Sequence, residues 1–92
     1  MTRDRKDIES GLLKKGFRNR EGDHHYYIYH TITGLKSRVF TKTSHSHKSI
    51  SDDLLSMMAR QCRLPRQQFF NLLDCPLSIE AYEKILVEHG LV

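Results

Sequence analysis

The chain has 92 residues, with 15 Lys and Arg against 11 Asp and Glu and a net charge of +4, so one small domain is expected and a second has no room. Leu, Ile, Val and Phe number 24, above the roughly one-fifth share below which chains stay disordered; the expectation is a small core, with marginal stability or a homodimer as its consequence. No apolar run approaches the roughly 18–20 residues of a membrane span, the start Met1-Thr2-Arg3-Asp4-Arg5-Lys6-Asp7 lacks an apolar signal core, and Cys62 and Cys75 make neither a disulfide framework nor a Cys-x-x-Cys pair, which together predict a soluble, cytoplasmic chain with no membrane contact.

The spacing of Ile8, Leu12 and Leu13 predicts a first helix from Asp4 to Lys15, ended by Gly16. Phe17 to Glu21 reads as a strand, Gly22-Asp23 as a tight turn, and His24 to Thr31 as a strand rich in aromatics. Thr33-Gly34 turns the chain into a third strand from Ser37 to Thr43, and the two close turns make an antiparallel meander. After a polar loop, Ser49 with Asp52 matches a capping box, opening a second helix that carries Leu54, Leu55, Met58 and Cys62, with Met57 and Met58 as core filler. Pro65 opens a third helix with Phe69, Phe70, Leu72 and Leu73; Pro76 stops it. Ser78 caps a fourth helix, with Leu77 and Tyr82 spaced as a hydrophobic staple and Gly90 at its end. The fold class expected is therefore α+β, α-β-β-β-α with a three-stranded antiparallel sheet and two further C-terminal helices, the helices covering one sheet face and leaving the other to solvent or ligand.

Charge is unevenly spread. Residues 1–48 hold eleven Lys and Arg against five acids, whereas residues 49–92 hold four against six. The basic half also contains His24, His25, His30, His45, His47 and three of the four Tyr, and cations mixed with aromatics and imidazoles suit a polyanion whose bases can stack, RNA before DNA. Any such contact is expected within residues 14–48. The plain alternative is a solvated charged face.

Gly22-Asp23-His24-His25-Tyr26-Tyr27-Ile28-Tyr29-His30 resembles the signature of HicA-type toxin ribonucleases, in which Gly-Ser-His-His and an aromatic open the second strand. Lys15-Gly16-Phe17 is similar to the family's Lys-Gly-Trp/Phe junction, and Arg60-Gln61-Cys62-Arg63-Leu64 to its closing Lys-Gln-Ala-Gly-Leu, a register that places His45 on the His of a Val-Pro-His-Pro stretch. The resemblance covers residues 5–64. Asp23 stands where Ser or Thr is usual, no Pro flanks His45, Arg63 replaces a Gly, and residues 65–92 have no counterpart. The resemblance implies a fold like double-stranded-RNA-binding domains over residues 1–64, a metal-independent endoribonuclease acting on mRNA, and a HicB-like antitoxin partner; residues 65–92 are expected, from their own pattern, to be a helical extension packed on the same domain.

The chemistry needs few groups. RNA carries its own nucleophile, the 2′-hydroxyl, so cleavage requires a base for that proton, an acid for the leaving 5′-oxygen, and cations for the phosphorane charge; imidazole serves the first two near neutrality. His24 and His25 are the catalytic candidates, and Lys15, Arg38, Lys42, His45 and Lys48 the RNA-binding ones. Strand alternation puts His24, Tyr26, Ile28 and His30 on one face and His25, Tyr27 and Tyr29 on the other. In the family pattern the aromatic three positions after the first His packs inward, which leaves His24 outside and ranks it ahead of His25. Convergence of His45 and His47 with His24 and His25 on zinc lacks thiolates and nearby acids, so no metal or other cofactor is expected. Two further classes stay open: a noncatalytic RNA-binding module, and a protein-interaction module using Phe69, Phe70, Tyr82, Ile85 and Leu86.

Overall fold

The computed structural model describes residues 3–44, 48–74 and 76–92. It begins with a short strand β1 (Arg3–Asp4), after which Asp4 caps helix α1 (Arg5–Lys14) by accepting the Lys6 N–H at 2.9 Å. Strands β2 (Phe17–Glu21), β3 (His25–His30) and β4 (Lys36–Thr43) form the antiparallel sheet in the order β2-β3-β4. Then come β5 (Ser49–Ile50), α2 (Asp52–Gln61), α3 (Arg66–Asp74) and α4 (Ile79–Glu88). The α+β class, the meander and both C-terminal helices agree with the sequence pattern.

Two details differ from it. β1 pairs with β5, Arg3 opposite Ile50 and Asp4 opposite Ser49, so Ser49 is a strand residue; Ser51, extended at φ −71° and ψ 165°, caps α2 by accepting the Leu54 N–H. Two-residue strands carry no periodicity that a sequence could reveal. On α1 the buried positions are Ile8, Gly11 and Leu12, whereas Leu13 is 52% exposed. Gly11 faces the α3 backbone so closely that a Cβ would lie 3.1 Å from the Leu73 carbonyl oxygen, and that approach, rather than Leu13, defines the inner stripe.

Helices cover one sheet face. Phe17, Tyr27, Tyr29 and Val39 point into a core shared with Ile8 and Leu12 of α1, Leu55 and Met58 of α2, Phe69 and Leu72 of α3, and Tyr82 and Leu86 of α4. The Tyr82 ring stacks on Phe17 at 5.9 Å and meets Tyr29 edge-on at 5.2 Å, while its hydroxyl donates to the Cys62 carbonyl at 2.7 Å. Glu83 accepts from the Tyr29 hydroxyl at 2.6 Å and from the Ile32 N–H at 2.8 Å. At Gly16, φ is +90° and a Cβ would stand 2.9 Å from both Ile79 and the Tyr29 ring; only glycine permits both the turn and the close passage of α4.

Burial also sets the alkaline limit of the fold. Burial, with Glu9 close by, pushes the Tyr27 hydroxyl up to about 12, and burial pushes Tyr29 and Tyr82 higher still, Tyr29 with the help of its bond to Glu83. The fold favours the neutral phenols, so their contribution is intact below the unfolded value near 10 and is lost as pH rises through the folded values. We expect the melting temperature to fall progressively above pH ~10, in step with tyrosinate absorbance; an unchanged melting temperature with full tyrosine ionisation would contradict this.

Candidate functional site

The face of the sheet away from the helices is open. Alternation places Arg18 and Arg20 of β2, Tyr26 and Ile28 of β3, and Lys36, Arg38, Phe40 and Lys42 of β4 on it. Register aligns them in two rows, Arg18-Ile28-Phe40 and Arg20-Tyr26-Lys42. Between Ile28 and His30 the register slips in a bulge, where the Ser37 hydroxyl donates to the Tyr29 carbonyl at 2.7 Å and accepts the Val39 N–H at 3.1 Å. The bulge keeps both Lys36 and Arg38 on the open side.

The result is an apolar strip of Tyr26, Ile28 and Phe40 rimmed by cations. It floors a recess of about 610 Å³ lined also by Arg20, Lys36 and Arg38, with Glu21 and Asp23 at one end. The Tyr26 and Phe40 ring centres lie 6.4 Å apart at 52°, so neither ring stacks on the other. A second recess of about 430 Å³ continues over the β4 edge, lined by Arg38, Phe40, Met57, Arg60, Gln61 and Arg63. Met57, 48% exposed, belongs to this groove and not to the core, unlike its neighbour Met58.

His24 lines neither of these two recesses. Its ring is 6.2 Å from that of Tyr26, and it lines a third recess of about 240 Å³ with Lys42, Ser44, Met57 and Gln61. Its Nδ1 is buried with no hydrogen-bond partner among the described residues. His25 lies on the opposite side of the strand, with Nδ1 held 2.7 Å from Glu21. The Gln61 side chain that closes the recess is itself held by the Thr41 hydroxyl, which donates to Oε1 at 2.7 Å.

The five cationic candidates separate. Arg38 and Lys42 are exposed on the open face. Lys48 is exposed just before β5, away from the three recesses, and His45 lies outside the described residues. Lys15 is a correction: it is only 7% exposed, and its ammonium donates to the carbonyls of Leu72 and Leu77, each at 2.7 Å. It ties the C-terminal end of α3, whose Leu72 carbonyl a helix end leaves open, to Leu77 just before α4, in place of a ligand. Lys15→Met should therefore cost about 3 kcal/mol of stability while sparing any ligand contact; a melting curve like that of the parent chain would refute the role.

Arg18, Arg20, Lys36, Arg60 and Arg63 complete the basic surface, beyond the cationic candidates of the sequence. Strand alternation could have found the first three. The described residues contain no cluster of three or more His, Cys, Asp or Glu able to hold a metal, and Cys62 is buried in the core, where burial pushes its thiol up. Among them no helix is long and apolar enough to cross a membrane. Compared with protein-family models, curated proteins and solved structures, the chain matches none of them.

Proposed function

We propose that the chain is a HicA-like RNA-binding protein and a metal-independent endoribonuclease acting on mRNA in the cytoplasm, with a HicB-like antitoxin as its protein partner. The observation that carries the reading is the open sheet face: an apolar, aromatic strip surrounded by Arg18, Arg20, Lys36, Arg38 and Lys42, with His24 in a recess at its edge. Such a surface attracts a polyanion and gives bases somewhere to rest. In the reaction, His24 takes the proton of the 2′-hydroxyl, the oxygen attacks the adjacent phosphorus, and the bond to the 5′-oxygen breaks as that oxygen takes a proton from a water molecule. Lys42, which lines the same recess, offsets the phosphorane charge. The resemblance at Gly22-Asp23-His24-His25 supports the same assignment.

Cleavage of a single-stranded RNA should then proceed in EDTA and leave a 2′,3′-cyclic phosphate or its 3′-phosphate product, because no metal-bound water is needed. A 2′-deoxy substitution at the scissile nucleotide should block it. Complete dependence on a divalent ion, or cleavage of the 2′-deoxy substrate, would exclude the mechanism; binding without cleavage under all conditions would leave a noncatalytic RNA-binding module.

A further inference from the structure

We propose that the nucleic acid this surface takes is single-stranded, with unpaired bases stacked on Tyr26 and Phe40 and the phosphates led over the β4 edge by Arg38, Arg60 and Arg63. This rests on the RNA-binding reading and specifies its substrate class. A duplex presents phosphates and groove edges but hides the faces of its bases, so it has no use for aromatic rings in the middle of an open sheet. Tyr26 and Phe40 stand there, on neighbouring strands one residue pair apart, with Phe40 44% exposed. Their rings do not stack on one another, which leaves ring surface for bases. Stacking of this kind tolerates any sequence, because every base has a π-face.

Arg63 supplies an independent observation. It ends α2 in a left-handed conformation, φ +65°, while the Leu64 N–H closes on the Ala59 carbonyl at 3.0 Å. Among the described residues it is the one non-glycine with positive φ. Glycine adopts that conformation freely and a residue with a Cβ does not. What the arginine gains is a place in the second recess beside Arg38 and Arg60, and no carboxylate is among the described residues lining it. Three guanidinium groups around one uncompensated groove repel each other until a polyanion enters. Strain retained at such a point marks a side chain in use.

The test is fluorescence anisotropy of the full chain against three uncleavable probes of equal length: a single-stranded 2′-O-methyl oligonucleotide, its duplex, and an abasic ribose-phosphate strand. The single strand should bind tightest, and Tyr26→Ala and Phe40→Ala should each weaken it by about 5- to 150-fold while changing duplex and abasic binding little. Arg63→Gly should melt higher than the parent chain yet bind the single strand more weakly, with the slope of log K against log salt reduced by roughly 0.7. Duplex binding as tight as the single strand, or aromatic variants that bind like the parent, would overturn the stacking platform while leaving RNA binding intact. An Arg63→Gly variant with unchanged affinity and salt slope would overturn the phosphate path. Binding of none of the probes would overturn both this proposal and the RNA reading beneath it.

Discussion

Removal of everything after Leu64 should leave a chain that does not fold cooperatively. The segment contributes Phe69, Leu72, Leu73, Leu77, Tyr82 and Leu86 to the buried core. At about 1.5–3 kcal/mol for each large apolar side chain buried, the loss is of the order of the whole stability of a small domain, about 5–15 kcal/mol. The remainder would also be left with polar groups adapted to the missing part. The Lys15 ammonium would lose the Leu72 and Leu77 carbonyls, and the Tyr29 hydroxyl would lose Glu83. Circular dichroism and size-exclusion chromatography should show an aggregating species without a sharp melt. A soluble monomer melting within a few degrees of the full chain would mean that residues 1–64 form a self-sufficient domain and that the tail serves docking alone.

The second large effect concerns the paired histidines. His24→Ala should lower RNA cleavage by about 10²–10⁴-fold and change RNA affinity by less than about 3-fold, because a base that removes one proton contributes little to holding the phosphates. His25→Ala should cost far less activity, since the ring is turned to the helix side of the sheet and engaged with Glu21. The Glu21–His25 pair nevertheless has the form of a carboxylate-oriented base, a specific feature that carries a second reading. Loss of activity in His25→Ala and Glu21→Gln together, with His24→Ala active, would transfer catalysis to that pair.

Much of the architecture was legible because local chemistry and tertiary structure agree. Asp4 and Ser78 cap their helices, Gly16 and Gly90 end two of them at positive φ, and Tyr27 shares one sheet face with Tyr29, as strand alternation groups them. The errors arose where tertiary contact overrides a local pattern. Ser49 fits a capping motif but is drawn into a strand by Asp4, forty-five positions earlier. Lys15 reads as one more surface cation, and only the return of α3 and its following turn places two carbonyls around its ammonium. The candidate site was half legible. Summing charge over each half of the chain pointed to residues 14–48 but concealed Arg60 and Arg63, which lie in a net acidic segment and reach the sheet only because α2 runs along the β4 edge. The strand parity of Arg18 and Arg20 puts them on the same sheet face as Arg38 and Lys42, across β3.

Binding of RNA on the open face of the β2-β3-β4 sheet should be visible in chemical-shift mapping of the isotope-labelled full chain during titration with a short uncleavable single-stranded RNA. The largest perturbations are expected at Arg18, Arg20, Tyr26, Ile28, Arg38, Phe40 and Lys42, continuing onto Arg60 and Arg63, with α1, α3 and α4 unaffected. Perturbations confined to the helical side of the molecule, or none at saturating RNA, would contradict it.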